Sequence, residues 1–303
     1  MKQYVPTLLL FGGSGFIGSN LGAVALQRGW RVFIADTSYH PGLAEAEWRQ
    51  VDITEAEAVE RVLADVSPDA AVNLAAMADI DRADREKELT WQINVNGAAY
   101  IAAVCAQRKI RQLFFSSDAV FDGNGGPYRE DDTPNPVNYY GISKAAAEAE
   151  VLEANPQAVL VRVSLVLGFP VTEGNSYLAA LDQKLRAGEA ILCPEDEIRT
   201  PVAVKTLCES VLELAGGSFE GVLHIGCLES VDRYELTRRA AQEMGYSMEL
   251  VRPQETVIGS TSRAARHKNG ILDVSRAQTV LTTPMLNLDQ TIKRAVSGRN
   301  RSA

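Results

Sequence analysis

Paired cysteines are missing from this chain. The four present, Cys105, Cys193, Cys208 and Cys227, are scattered through 303 residues without a C-x-x-C spacing. That excludes a disulfide scaffold and gives a zinc site no thiolate pair. Histidine is as scarce: His40, His224 and His267 stand far apart, so no metal is expected. No long apolar run is present either. Val5–Phe11 is too short to span a bilayer and runs into glycines rather than into a cleavage region, so no membrane is expected and a reducing cytoplasm is the expected setting. Positive charge is not in excess. Lys plus Arg is 30 against 39 Asp plus Glu, a net charge of −9, and so acidic a chain has no general attraction for nucleic acid or anionic lipid. What remains is ordinary globular composition, 46% hydrophobic and 23% charged. The length suits about two domains, or one large α/β unit with a smaller lobe.

Short apolar runs alternate with longer helical ones. Strands are expected over Thr7–Phe11, Arg31–Ala35, Ala70–Leu74, Gln112–Ser116 and Val159–Leu167. Helices are expected over Gly15–Arg28, Ile53–Val66, Glu88–Arg108 and Tyr139–Ala154, the second opened by a Thr54/Glu57 capping box. This alternation predicts a doubly wound α/β fold, a parallel sheet covered on both faces. Beyond Gly168 it weakens. Helices are expected over Asn175–Ala187, Val202–Ala215 and Val231–Met244, with a short strand at Gly221–Ile225.

Two places carry chemistry. Gly12-Gly13-Ser14-Gly15-Phe16-Ile17-Gly18 follows a predicted strand and opens a predicted helix. Glycines there permit a tight turn and close backbone approach to a pyrophosphate, which the helix N-terminus attracts. Asp36 ends the next strand, 18 residues past Gly18, near the spacing at which an acid meets the adenosine ribose. A carboxylate there repels the 2′-phosphate of NADP, and Thr37 and Ser38 bring no cation to offset it. NAD(H) is therefore the preferred cofactor, with NADP(H) the weaker alternative. The second place is Tyr140-Gly141-Ile142-Ser143-Lys144. Residues i and i+4 share a helix face, so a phenol and an ammonium converge on one ligand. The ammonium is expected to lower the phenol's pKa. Upstream, Ser117 and Asp118 close the fourth strand, at the sheet end where α/β folds bind ligands. Ser117 reads either as a carbonyl-holding hydroxyl or as a strand-end cap.

These segments carry a resemblance. With Asn73–Asp81, Phe115–Gly123, Pro127–Glu130 and Pro136–Lys144, the chain resembles the extended short-chain dehydrogenase/reductases, and within them the dTDP-4-dehydrorhamnose reductase group. The match covers roughly residues 7–168 well; Arg199-Thr200-Pro201 and Asn269–Asp273 match in outline. The resemblance implies a catalytic Ser117, Tyr140 and Lys144, with Ala75 and Ala76 lining the cofactor groove and Asp52 and Ile53 near adenine. It implies a dinucleotide-binding domain over 1–168, rejoined by 202–227, and a discontinuous substrate lobe over 169–201 and 228–303. The implied reaction is NAD(P)-dependent reduction of a carbonyl, on a nucleotide-linked 4-keto-6-deoxy sugar. Asp118, Arg199, Arg263 and Arg266 are the candidates on the substrate side, the last two from the basic stretch Arg263–Lys268. Expected partners are that small molecule and, as one option, a second copy in a homodimer. The chain departs from the group at Ala119, where Tyr is usual, and at Leu165 and Leu167, where aromatics are usual. Two other readings stay open: a sugar-nucleotide epimerase or dehydratase, against which Ala119 stands where dehydratases carry a second acid, and a non-catalytic dinucleotide-binding regulatory protein.

Overall fold

The computed structural model describes residues 4–38, 43–172, 174–254 and 264–299. The six strands β1 (Thr7–Phe11), β2 (Arg31–Asp36), β3 (Glu47–Gln50), β4 (Ala70–Asn73), β5 (Arg111–Ser117) and β6 (Val159–Val163) are joined by Gly221–Ile225 in one seven-stranded sheet. From edge to edge the order is Gly221–Ile225, β6, β5, β4, β1, β2, β3. Every pairing is parallel.

Both faces of such a sheet must be covered, and the sequence supplies apolar residues for both. In β1, Leu8 and Leu10 enter one core while Leu9 and Phe11 enter another across the sheet, all four fully buried. The first core is closed by the helices Phe16–Gln27 and Val204–Gly216. The opposite face is closed by Ala56–Val66, Gly97–Arg108 and Tyr139–Ala154. The chain leaves β1 toward β2 on one side and toward β4 on the other, so the winding reverses between β1 and β4. That reversal opens a crevice at the strands' C-terminal ends.

A separate core gathers Leu167, Leu178, Leu181, Leu185, Leu236, Ala240 and Ile292. The chain crosses between the cores repeatedly. Leu207, Val211, Leu223 and Ile225 pack on the sheet, and so do Ala277, Leu281 and Met285, although the last three fall inside the stretch expected to form the substrate lobe.

Several local expectations are corrected. Helix 56–66 begins at Ala56 without a side-chain cap; the Thr54 N–H and hydroxyl donate to Asp52 Oδ1 at 2.9 and 2.7 Å instead. That local turn outcompetes the capping box. The expected helix 88–108 is three pieces, Lys87–Trp91, a π-turn Gln92–Asn96 and Gly97–Arg108. The expected fifth strand breaks at Ser164 into β6 and Leu165–Leu167, because the Ser164 hydroxyl turns to donate to Asp118 Oδ2 at 2.6 Å. The edge strand Glu47–Gln50 carries no alternating apolar pattern, the usual protection of an exposed sheet edge. Among the described residues no helix is long and apolar enough to cross a membrane.

Candidate active site

The glycine turn sits at the reversal between β1 and β4. Gly12 has φ +71°, and a Cβ there would lie 2.7 Å from the Ala75 backbone nitrogen. Gly18 lets the first helix close on the turn, where a Cβ would come within 2.6 Å of Gly13 Cα. Gly15 is the exposed N-cap of helix 16–27; it offers no side-chain cap, and the first turn holds no acid. An uncapped helix N-terminus on an open glycine is a fit for the diphosphate of a dinucleotide. Phe16 and Ile17 are half-buried and pack against the core beside it. The Asp36 carboxylate stands next to the turn, accepting from the Ser14 N–H at 3.2 Å and the Thr37 N–H at 2.8 Å. Ala75 and Ala76 follow β4 half-buried, with the Ala75 N–H held by Asn73 Oδ1 at 3.1 Å. Ile53 is buried against Gly97, and the neighbouring Asp52 is exposed.

Tyr140 and Lys144 lie one turn apart on helix 139–154, whose N-cap is Asn138: its Oδ1 accepts from the Gly141 N–H at 2.8 Å. Gly141 brings this helix against the end of β5. A Cβ there would fall 2.1 Å from the Ala119 carbonyl oxygen, so only glycine permits the approach that sets Tyr140 beside Ser117. Ser117 stands next to Tyr140, where its hydroxyl opposes the rise in the phenol's pKa. Ser117 Oγ also accepts the Ala119 N–H at 3.2 Å and donates to Asp118 Oδ1 at 3.0 Å. The strand-end cap and the tyrosine's neighbour are thus the same hydroxyl.

The electrostatics correct one expectation. Burial pushes the Tyr140 phenol up to about 12, with the Asp118 charge adding to the rise and the Ser117 hydrogen bond opposing it. Lys144 is not among the groups that act on it. Lys144 is itself buried, its ammonium 4.0 Å from the centre of the Phe114 ring, and burial pushes it down to about 7 against the pull of Glu148. A phenol with a raised pKa keeps its proton at neutral pH, the form a proton donor needs.

Ser117 and Tyr140 open on a cavity of about 810 Å³, which Ala119, Leu165, Arg199, Arg233, Arg266 and His267 also line. The substrate-side candidates are placed as follows. Asp118 is 3% exposed with both carboxylate oxygens engaged. Arg199 is buried, and its guanidinium donates to the carbonyls of Ile198, His267 and Lys268 at 2.8–3.0 Å. Arg266 pairs with Asp81 at 2.9 Å. Arg263 lies outside the described residues. Sequence reasoning missed two polar residues here. Asn94, in the π-turn, accepts the Met77 N–H at 2.7 Å and donates to Ser143 Oγ at 2.9 Å, tying the Ala75–Met77 loop to the tyrosine helix. A π-turn is a recurrent mark of functional sites, but its sequence, Gln92–Asn96, looks like plain helix. The other is His267, which entered only as one charge in a basic run.

A glycine turn at the reversal of the sheet, Ser117 and Tyr140 lining a cavity, and Lys144 buried one turn along the tyrosine helix together define an oxidoreductase of the short-chain dehydrogenase/reductase type. The chain belongs to the family described as RmlD substrate binding domain, which matches residues 6–300. It is 32% identical to dTDP-4-dehydrorhamnose reductase of Mycobacterium tuberculosis over 253 residues, 81% of this chain and 78% of that one. It is 30% identical to a probable low-salt glycan biosynthesis reductase of Haloferax volcanii over 273 residues, 88% of this chain and 89% of that one. Among solved structures, dTDP-4-dehydrorhamnose reductase of Bacillus anthracis in complex with NADP superposes with a TM-score of 0.87 at 23% identity, covering 98% of this chain and 100% of that one.

Proposed function

We propose that this protein reduces the keto group of a nucleotide-linked 4-keto-6-deoxy sugar at the expense of a nicotinamide dinucleotide. The observation that carries the reading is the placing of Tyr140 and Ser117 together in the wall of the 810 Å³ cavity. The name of the Mycobacterium tuberculosis relative supports the substrate class, and that of the Haloferax volcanii relative supports a reductase. The dinucleotide supplies the hydride when bound. The residues suited to hold it are Gly12, Gly15, Phe16, Ile17, Gly18, Asp36, Asp52, Ile53, Ala75 and Ala76, with Lys144 for its ribose. Tyr140 donates its proton to the carbonyl oxygen as negative charge develops there, and its raised pKa keeps that proton available. Ser117 orients the tyrosine and the carbonyl. Arg266 and Arg233, lining the far side of the cavity, provide cationic donors for a substrate diphosphate. The lobe expected over 169–201 and 228–303 covers the sugar.

Asp36 sets the cofactor preference. Its carboxylate beside the glycine turn disfavours a 2′-phosphate, so NADH binds more tightly than NADPH, and Asp36→Ala narrows the gap in a fluorescence titration. The decisive experiment mixes the protein with dTDP-4-dehydrorhamnose and NADH. Loss of NADH absorbance in step with formation of the reduced sugar is expected. A product of inverted configuration without net NADH loss would show an epimerase instead, and tight NADH binding without turnover of any keto-sugar would show a binding protein.

A further inference from the structure

His267 is 4% exposed and sits on a segment that crosses the cavity. Beyond the Arg199 bonds to its carbonyls, that segment is fastened at three further points. Asn138, the cap of the tyrosine helix, donates to the Ala265 carbonyl at 2.9 Å. Asp81 takes the Ala264 N–H and the Arg266 guanidinium, both at 2.9 Å. His267 Nε2 meets Asp118 Oδ2 at 3.1 Å. Two glycines make room for that last contact. A Cβ on Gly270 would lie 2.3 Å from Asp118 Oδ2 and 2.7 Å from His267 Nε2, and a Cβ on Gly123 would lie 2.8 Å from His267 Cβ. The pairing is therefore built into two separate stretches of chain.

Asp118 is ringed by donors. Oδ2 takes the Ser164 hydroxyl at 2.6 Å and the His267 ring N–H, with Arg199 Nε at 3.6 Å; Oδ1 takes the Ser117 hydroxyl at 3.0 Å. A serine hydroxyl has one hydrogen. With that hydrogen committed to Asp118, the Ser117 oxygen accepts from the Ala119 N–H. The bonds run in one direction, from Ala119 to Ser117 to Asp118, and His267 closes the far end.

We propose that His267 is a positioning residue that holds Asp118 as an acceptor and thereby sets the direction in which the Ser117 hydroxyl, next to Tyr140 in the cavity wall, donates. Burial works against a carboxylate at Asp118; His267, then Arg199 and Ser164, reverse that and hold it below the usual carboxylate range. The other charged or titratable neighbours are Tyr140 on its helix and, beyond Arg199, Glu197 at 3.7 Å from that guanidinium. Without the His267 N–H, Asp118 takes up a proton more readily. A protonated Asp118 donates to Ser117, and the Ser117 hydroxyl reverses away from it.

The test has two arms, and only the kinetic one rests on the reduction proposed above. The carboxyl resonance of Asp118 in carboxyl-13C-aspartate-labelled protein, assigned with Asp118→Asn, is titrated in wild type, His267→Ala and His267→Asn. The Ala variant should titrate at clearly higher pH, and the Asn variant, which keeps an N–H, should return toward wild type. With dTDP-4-dehydrorhamnose and NADH, kcat of His267→Ala should fall about tenfold, the scale of one oriented hydrogen bond, with KM unchanged and with recovery in the Asn variant. An unmoved Asp118 titration overturns the proposal, as does a moved titration with unchanged kcat. If wild type fails to reduce the keto-sugar, that reading falls by itself, and the titration still decides whether His267 governs Asp118. Should His267→Ala not fold, His267→Leu, which fills the space without a donor, takes its place.

Discussion

At the scale of single residues, Tyr140 and Lys144 on one helix have pKa values displaced in opposite directions, and each displacement predicts something measurable. Tyr140→Phe removes the proton donor and nothing else. Turnover of the keto-sugar should fall by ~10²–10⁴-fold, while NADH binding by isothermal titration stays near wild type; retention of most activity would remove Tyr140 from the mechanism. Lys144 predicts a pH dependence of stability. Its ammonium titrates near 7 in the fold and at 10.5 when unconstrained. Between those values the unfolded chain holds the extra proton, so stability attributable to this site rises with pH across the window, and the full cost of burying the charge is felt below about 7. Tyr140, raised from 10.0 to about 12, keeps its proton in the fold while the unfolded chain loses it, so its contribution is lost only above that window. Urea denaturation of the cofactor-free protein at about pH 7 and about pH 9 should therefore show Lys144→Met gaining most over wild type at the lower pH. An equal gain at both would mean that Lys144 is not the group that titrates.

At the scale of elements, the tyrosine helix and the end of β5 meet through one absent side chain. Gly141→Ala puts a methyl 2.1 Å from the Ala119 carbonyl oxygen, and backbone cannot yield as a flexible side chain can. The expected cost is ~1–3 kcal/mol, read from the urea midpoint, together with a loss of kcat larger than that loss of stability alone explains, because Tyr140 is carried away from Ser117. The same elements show what a sequence discloses. The turn Gly12–Gly18 and the helix Tyr139–Ala154 were legible because their residue types are dictated locally: positive φ, an open N-terminus, an i,i+4 pair. The break at Ser164 and the π-turn at Gln92–Asn96 were not, because their causes are distant partners, Asp118 in one case and Met77 and Ser143 in the other. Glu47–Gln50 escaped for another reason, since an edge strand of charged residues has no period to read. His267 escaped because its role depends on Asp118, 149 residues away.

At the scale of the whole molecule, the core beneath the dinucleotide crevice is completed from far down the chain. Leu207, fully buried on helix 204–216, packs in the same cluster as Leu8 and Leu10. Leu207→Ala should cost ~2–5 kcal/mol, read as a lowered melting temperature; a change below a degree or so would contradict this packing. This arrangement also has a consequence in time. A ribosome releases the glycine turn, Asp36, Ser117, Tyr140 and Lys144 well before it makes the edge strand Gly221–Ile225, or helix 204–216 and Ala277–Met285, which complete the cover of one face of the sheet. Until those stretches emerge, the nascent chain carries a complete set of reactive side chains on a sheet with one greasy face only partly covered, by helix 16–27. The window calls for a chaperone or for slow self-association to be outrun. A stop codon just past Gly168 should accordingly yield inclusion bodies rather than a small dinucleotide-binding protein.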